Sequence, residues 1–321
     1  MAINGNFIGL EYDSAEIRAA ELKNENGKIT VEACGRIPLE AGVIEDGFIR
    51  NPEAFKLSMN ELLKNGSFTT NKVIFGVNNE NVVMRYASFP KTDSERLRSI
   101  VLLQAQEYIP IPINEMEIDF VPAGDEKTED GRDVSNVLII AARTTMLTQS
   151  IDILSDSGLE VNDIDSSLLA LSRGILGSGE TEKFAILNLT ADMINFLVVK
   201  GNEISMVRSI AVPDRIVASV KSLCRDEDVV GDNVLEVSEV LSNELMSSLT
   251  YYSMQHMDDP IKKVYLMTDT KNDLKLIEQM NLIENQVSAP NFSIYGGFGL
   301  DDSVVKDFAA CLGLAAAALE V

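Results

Sequence analysis

The sequence predicts a mixed α/β fold built from two related domains. Two stretches, 7–22 and 184–199, share one sequence pattern. Each predicts a buried strand, a tight polar turn and a return strand in which apolar and polar residues alternate. Each is followed by a second turn and a third strand, at 28–33 in the first copy and at 203–207 in the second. Helices and further strands come after each copy, as in a mixed sheet. The repeat therefore indicates two domains that face each other across a cleft.

The composition is that of a globular protein with a strongly acidic charge balance. The chain has 321 residues, of which 45% are hydrophobic and 24% are charged, and its formal net charge is −23. That length suffices for two domains with substantial cores. Because like charges repel, we expect no nucleic-acid partner and no binding to a bare anionic membrane surface, whereas a basic peptide would be attracted.

Cysteine usage and hydropathy indicate a reducing, cytoplasmic location. Cys34, Cys224 and Cys311 are an odd, scattered set without CxxC spacing, which predicts neither a disulfide framework nor a zinc site. No secretory signal is recognised at the start of the sequence. The longest apolar stretch, 308–319, is shorter than the ~20 residues of a membrane span and is expected to form a closely packed helix. We therefore expect no direct membrane insertion.

The first half supplies the other elements of one domain. Residues 51–65 have the apolar spacing of an amphipathic helix, and a short apolar strand follows at 72–77. A strand at 161–165 and a helix at 166–175 are expected to return to the same domain. The stretch 177–180, rich in glycine and serine, has the composition of a flexible linker.

Between these segments, residues 82–158 have a different order of predicted strands and helices, which indicates a small α+β insert. Its order is strand, helix, strand, strand, helix. The first helix carries apolar residues at three- and four-residue spacing and stops at Pro110. The predicted strands are 82–89, 117–122 and 134–142, and the second helix is 145–157.

The second half continues with helices and one further strand. The predicted elements are a helix at 214–223, a polar loop at 225–233, a long helix at 235–255, a strand at 263–267 and helices at 273–280 and 304–319. The resulting division is a first domain at 1–81 and 159–178, an insert at 82–158, a second domain at 183–303 and a C-terminal helix at 304–321 that packs back on the first domain.

Three groups of residues resemble signatures of one family in their order and spacing. They are Glu-Ala-Gly-Val-Ile-Glu-Asp-Gly at 40–47 with Asn-Pro-Glu-Ala at 51–54, Phe-Pro-Lys at 89–91 with 104–110, and Leu-Leu-Ala-Leu-Ser-Arg at 168–173. The chain resembles the PilM family of type IV pilus assembly proteins, relatives of the division protein FtsA in the actin-like ATPase superfamily. The resemblance implies an actin-like (ribonuclease H-like) two-domain fold with a small α+β insert in the first domain.

The turns that hold ATP in hydrolysing members of that superfamily have lost their motif residues here. Phosphates need bare backbone amides and glycine, and magnesium needs an aspartate. In this chain Glu11 replaces the aspartate, and Asp13 stands where glycine admits the phosphate. We therefore expect no catalytic residue, no bound ATP or Mg²⁺, and a degenerate nucleotide cleft. Its residues are Glu11, Asp13, Ser14, Asn188, Thr190, Thr268 and Asp269.

Several of these acids have an alternative role. Asp13, Asp192 and Asp269 could be ligands of magnesium in an unusual site, but solvated turn residues are the favoured interpretation because aspartate is a common turn former. For Glu11, metal coordination and hydrogen bonding within the cleft remain equally open. His256 is the only histidine, which excludes His-pair and His-Cys catalytic schemes.

The resemblance also implies a partner, the cytoplasmic N-terminal tail of a PilN-like membrane protein, bound in a groove between the insert and the first domain. An apolar rim on the insert would supply its contacts, although core packing is the commoner role of such stripes and is favoured for Leu97 and Val101. The predicted partner-binding residues are Met84, Tyr86, Phe89, Gln104, Tyr108 and Ile109.

The sequence thus predicts a non-enzymatic assembly component of a type IV pilus machine. It would be cytoplasmic and recruited by partners to the inner membrane, with the pilus motor ATPase as a further candidate partner. Two alternatives are an active actin-like ATPase of the PilM or FtsA type and a GspL-like cytoplasmic component of type II secretion.

Overall fold

A computed structural model describes most of the chain and both predicted domains. The described residues are 4–128, 130–177, 180–201, 203–224, 231–257, 259–268, 272–282, 287–290 and 306–319. The strands are β1 (Gly5–Tyr12), β2 (Glu16–Glu25), β3 (Lys28–Pro38), β4 (Ile44–Glu45), β5 (Phe48–Ile49), β6 (Lys72–Val77), β7 (Val82–Pro90), β8 (Met116–Lys127), β9 (Asp133–Arg143), β10 (Glu160–Ser166), β11 (Phe184–Leu189), β12 (Met193–Lys200), β13 (Glu203–Ala211), β14 (Lys263–Thr268) and β15 (Val287–Ser288). The helices are α1 (Pro52–Gly66), α2 (Ser94–Tyr108), α3 (Thr144–Asp156), α4 (Ser167–Gly177), α5 (Asp214–Cys224), α6 (Gly231–Gln255), α7 (Asp273–Leu282) and α8 (Ala309–Ala318).

The two domains contain five-stranded sheets of the same design. The strand order is β10-β6-β1-β2-β3 in the first and β15-β14-β11-β12-β13 in the second. In both sheets the first three strands in sequence are antiparallel neighbours, and the next two add in parallel beside the first. The sheet order confirms the duplicated α/β fold that the sequence predicts.

The insert is an antiparallel sheet, β7-β9-β8, with α2 packed on one face. Successive side chains of a strand point to opposite faces of the sheet. Ala87, Phe89 and Val137 therefore face α2, while Met84 and Tyr86 face the second domain. The helix α3 packs differently from its predicted place in the insert: its buried side chains, Met146, Leu147, Ile153 and Leu154, lie in the core of the first domain. By packing, the insert therefore ends with β9.

The C-terminal helix α8 lies across the first domain. It contacts α4, β1, β2 and β6, and its closest approach is at Gly9 in β1. A Cβ atom at Gly9 would lie 1.8 Å from the carbonyl oxygen of Cys311. On the other side of α8, a Cβ at Gly313 would lie 2.3 Å from the carbonyl oxygen of Ala170 in α4. Glycine at both positions lets the backbone of α8 contact β1 on one side and α4 on the other.

The long helix α6 starts earlier than the sequence predicts. It begins at Gly231, so the last three residues of the predicted loop are helical, while residues 225–230 lie outside the described part. Asp232 suits the first turn, where the helix dipole favours negative charge. The predicted closing helix at 304–319 is described from residue 306 onward. Across the described ranges, no helix has both the length and the apolar character of a membrane span.

Candidate functional site

The turns of the two equivalent hairpins, β1–β2 and β11–β12, meet across the cleft between the domains. Each turn is closed in the same way, by a backbone N–H that donates to the carbonyl oxygen three residues later. The bond runs from Asp13 to Glu16 at 3.1 Å in the first turn and from Thr190 to Met193 at 2.9 Å in the second. The duplicated hairpins therefore present equivalent turns to one another.

A buried arginine fills the first domain's side of this cleft. The Arg18 side chain is 2% exposed, and its guanidinium lies 3.3 Å from Glu11, 3.3 Å from Asp13 and 3.4 Å from Glu16. Arg36 lies 2.8 Å from the Glu16 carboxylate. Buried carboxylates need such partners, because an unpaired buried charge is costly. The acids that would face a metal and phosphates are thus held by the protein's own guanidinium groups.

The predicted roles of the acids can now be compared with their positions. The solvated-turn interpretation is wrong for Asp13, which is buried and accepts backbone N–H bonds from Ala15 at 2.8 Å and Glu16 at 3.0 Å. Asp192 is a turn residue that stays partly exposed, but its carboxylate is also bonded to Ser14, which the interpretation did not include. The Asp13 carboxylate can be buried because fixed N–H donors replace water. Asp269 lies outside the described residues.

Burial changes the proton affinity of two acids beside the turns. Desolvation raises the pKa of Glu16 from its ordinary 4.5 to about 7, although the Arg18 and Arg36 charges oppose the rise. Desolvation also raises the pKa of Asp192, and the negative charge of Asp13 adds to that shift. Both effects follow from acids crowded into a space that holds little water.

The described residues next to the two turns line a small cavity between the domains. The cavity measures about 10 Å³, which is room for about one water molecule. Ligand sites in proteins are commonly ~300–1,000 Å³. Of the predicted cleft residues, Glu11, Asn188, Thr190 and Thr268 line this cavity, and Asp13 and Ser14 do not. The other lining residues are Asn78, Ser167, Leu171, Met267, Lys306, Asp307, Ala309 and Ala310.

The sequence analysis missed several charged residues of the cleft. Lys306 makes an ion pair with Asp273 of the second domain, and Asp307 lies 3.7 Å from Arg36 of the first. Burial lowers the pKa of the Lys306 amine. The role of Arg18 could have been predicted from sequence, since an arginine between apolar residues of a strand, close to three acids, indicates a buried ion pair. Lys306 and Asp307 are distant in sequence from every motif, and nothing local indicates their role.

The six predicted partner-binding residues do not form one surface. Phe89 and Ile109 are buried in the core of the insert, where the Phe89 ring contacts the ring of Tyr108 with centroids 5.8 Å apart. The assignment of Phe89 and Ile109 to an exposed rim is therefore wrong. Gln104 is half-buried on α2. Met84 and Tyr86 face the second domain, and the Tyr86 hydroxyl donates to the carbonyl oxygen of Ile204.

A separate groove of about 530 Å³ runs between the insert and the first domain. Consecutive residues of β8, 117–121, form one wall, and consecutive residues of β10, 161–166, form the other. Each strand is the last of its sheet, so among the described residues neither has a neighbour on that side. The floor is apolar, with Val77, Ile140, Ala142, Leu147 and Ile151. None of the six predicted residues lines this groove.

Acidic side chains outnumber basic ones along the groove. Arg98 pairs with Asp119 at 3.1 Å, and Arg173, outside the groove lining, pairs with Asp165. Two more carboxylates of the walls, Glu117 and Asp163, are exposed and form no ion pair within the described ranges. The groove can therefore accept an extended segment through backbone bonds, apolar contacts and added positive charge.

The duplicated sheets, the paired hairpin turns and the inserted subdomain define an actin-like fold. The sequence model of the family described as type IV pilus assembly protein PilM matches residues 9–212, more than half of the chain. The chain belongs to this family.

Solved structures share the whole architecture at low sequence identity. A chain of the PilM-PilN type IV pilus biogenesis complex is 19% identical, with a TM-score of 0.79 and 98% of each chain covered. The ethanolamine utilization protein EutJ from Carboxydothermus hydrogenoformans is 11% identical, with a TM-score of 0.55, 98% of this chain and 90% of that chain covered. Nucleotide-free diol dehydratase-reactivating factor is 9% identical, with a TM-score of 0.51, 99% of this chain and 100% of that chain covered. This likeness shows the common fold.

Proposed function

We propose that this protein is a non-enzymatic assembly component of a type IV pilus machine, which binds the cytoplasmic N-terminal tail of a PilN-like membrane protein. The observation that carries the proposal is the groove between the unpaired edges of β8 and β10. The partner would hold the protein at the cytoplasmic face of the inner membrane. The pilus motor ATPase is a further proposed partner.

The groove suits an extended peptide because both of its walls are edge strands, although the backbone N–H groups of Ile164 and Ser166 in β10 already donate to the carboxylates of Asp163 and Asp165. A peptide that adds to a sheet edge gains main-chain hydrogen bonds, while pockets select alternate side chains. The apolar floor supplies such a surface here. Family membership supports the partner assignment, as does the similar fold found in a complex of PilM with PilN.

The charge of the groove favours a basic tail. Glu117 and Asp163 lie on opposite walls, so both can approach positive side chains of one extended segment. The net charge of −23 adds an attractive field at longer range. Exposed pairs of this kind contribute modestly to affinity, and salt screens them.

Binding is tested with a fluorescent peptide that carries the N-terminal tail of the PilN-like protein from the same organism. Anisotropy titration of the unaltered protein should give saturable binding that weakens with salt. The double variant Glu117→Lys and Asp163→Lys should raise Kd by about two- to thirtyfold, since each exposed charge contributes roughly 0.2–1 kcal/mol.

The matched control reverses two exposed carboxylates away from the groove, with Glu61→Lys on α1 and Glu107→Lys on α2. It changes the net charge by the same amount and should bind almost as the unaltered protein does. Equal weakening in both double variants would assign the effect to overall charge and contradict the groove.

The proposed absence of ATP hydrolysis is supported by the cleft. A triphosphate would meet Glu11 and Asp13 already paired with Arg18, beside a cavity of about 10 Å³ among the described residues. Nearby like charges repel by ~1–4 kcal/mol at surface-like to aqueous dielectric. Titration with ATP and Mg²⁺ should give no micromolar binding and no steady release of phosphate, and either result would contradict this part of the proposal.

A further inference from the structure

One side chain of the second domain occupies the donors of the first domain's turn. The backbone N–H of Ser14 donates to Oδ2 of Asp192 at 2.8 Å, and the Ser14 hydroxyl donates to Oδ1 of the same carboxylate. Ser14 is buried, so water does not compete for these donors. Two donors at a tight turn are an arrangement that binds oxyanions. Here the oxyanion is a side chain of the protein itself.

The bonds join two domains rather than two parts of one domain. Ser14 belongs to the turn between β1 and β2, and Asp192 to the turn between β11 and β12. The contact lies at the tips of the two hairpins. Among the described residues, the cleft has a cavity of about 10 Å³, and a separate space of about 350 Å³ lies beside Met193, between β7 and the strands β12 and β13.

We propose that Asp192 is an internal ligand that clasps the two domains across the cleft. Its carboxylate takes the place of an external oxyanion on the Ser14 donors, so closure needs no bound phosphate compound. The Lys306–Asp273 pair, from the segment before α8, and the hydrogen bond from Tyr86 to Ile204 are further polar contacts with the second domain. The inference goes beyond the proposed docking role, because it concerns how the domains are held together.

The clasp is tested by hydrogen–deuterium exchange in the peptides that cover residues 11–17 and 188–194. In the variant Asp192→Ala, amides in both turns should exchange about tenfold faster or more, since hydrogen bonds to charged groups contribute about 1.5–3 kcal/mol. Ser14→Ala removes the hydroxyl bond and keeps the backbone bond, so its increase should be smaller. The control Glu239→Ala removes an exposed carboxylate of α6 and should leave both turns unchanged.

Asp192→Asn is the second variant if Asp192→Ala does not fold, since the amide keeps the shape and one acceptor. Faster exchange in both turns supports the clasp. Unchanged exchange in a folded Asp192 variant overturns it. Faster exchange confined to 11–17 also overturns it, because Asp192 would then cap one amide without holding the domains. No peptide or nucleotide is present, so this result is independent of both tests of the proposed function.

Discussion

Arg18 balances the acids on the first domain's side of the cleft. Its 2% exposed side chain is shared by Glu11, Asp13 and Glu16. Removing one partner of a buried ionic cluster leaves the other charges without compensation. The cluster therefore depends on this one cation more than on any single acid.

Replacing Arg18 by alanine should lower the free energy of unfolding by about 3–5 kcal/mol, the usual cost of breaking a buried charge pair. Urea unfolding followed by circular dichroism measures the loss. Arg96→Ala, at an exposed position on α2, is the control and should change stability little. A loss no larger than the control's would contradict a central role for Arg18.

Glu16 predicts a pH dependence of stability. Its folded pKa of about 7 exceeds the ordinary 4.5, so the folded state holds the proton more tightly than the unfolded state. Stability contributed by the protonated acid is therefore present below about pH 4.5 and is lost as the pH rises to about 7. The full effect is about 3 kcal/mol at most.

The variant Glu16→Gln isolates this contribution. The free energy of unfolding of the unaltered protein, relative to the variant, should fall between pH 5 and pH 8. Urea titrations across that range measure the difference. A difference that stays constant, or grows with pH, would show that Glu16 is ionised throughout.

At this scale the sequence predicts which residues stand in the turns but not what they contact. The replacement of the motif residues at Glu11 and Asp13 is visible in the sequence, whereas their pairing with Arg18 depends on the register of β1 and β2. The bond between Ser14 and Asp192 joins positions 178 residues apart. No local pattern predicts such a contact.

Among the elements, α8 depends most on close backbone contact. It covers β1, β2 and β6 and is held beside α4. Its residues are almost all buried, so it has no polar face to direct it. The position of the helix is therefore set by where glycine permits the nearest approach, at Gly9 and Gly313.

Gly9→Ala should destabilise the protein by about 1–3 kcal/mol, as overpacked cores do. The new Cβ would lie 1.8 Å from the backbone oxygen of Cys311, which cannot rotate away as a side chain can. Gly231→Ala is the control, because a Cβ there meets nothing within 4 Å. Thermal and urea unfolding of both variants measure the effect, and equal stability would contradict the tight contact of α8 with β1.

Helices and strands with a strong local pattern could be predicted from sequence, but the elements against which they pack could not. The paired hairpins and the parallel strands follow from periodicity and turn residues. The helix α3 has an apolar face, but the sequence does not say which core receives it, and it packs in the first domain. Phe89 and Ile109 show the same limit, since an apolar stripe fits a core and a binding rim equally well.

For the whole molecule, the closed cleft and the open groove have opposite characters. In the described part of the chain, internal ion pairs lie beside a cleft cavity of about 10 Å³, whereas the groove between the edge strands β8 and β10 measures about 530 Å³. This contrast supports the proposal that the protein holds a partner segment and does not turn over a nucleotide. The groove arises only when the insert meets the first domain, which explains why its walls could not be assigned from sequence.

Hydrogen–deuterium exchange of the protein with and without the PilN-like tail peptide tests this account most directly. The account predicts that saturating peptide slows exchange in both walls of the groove, residues 117–121 and 161–166, because the peptide backbone pairs with their free edges. Protection that appears only on α2 and β7, or nowhere on β8 and β10, would contradict it.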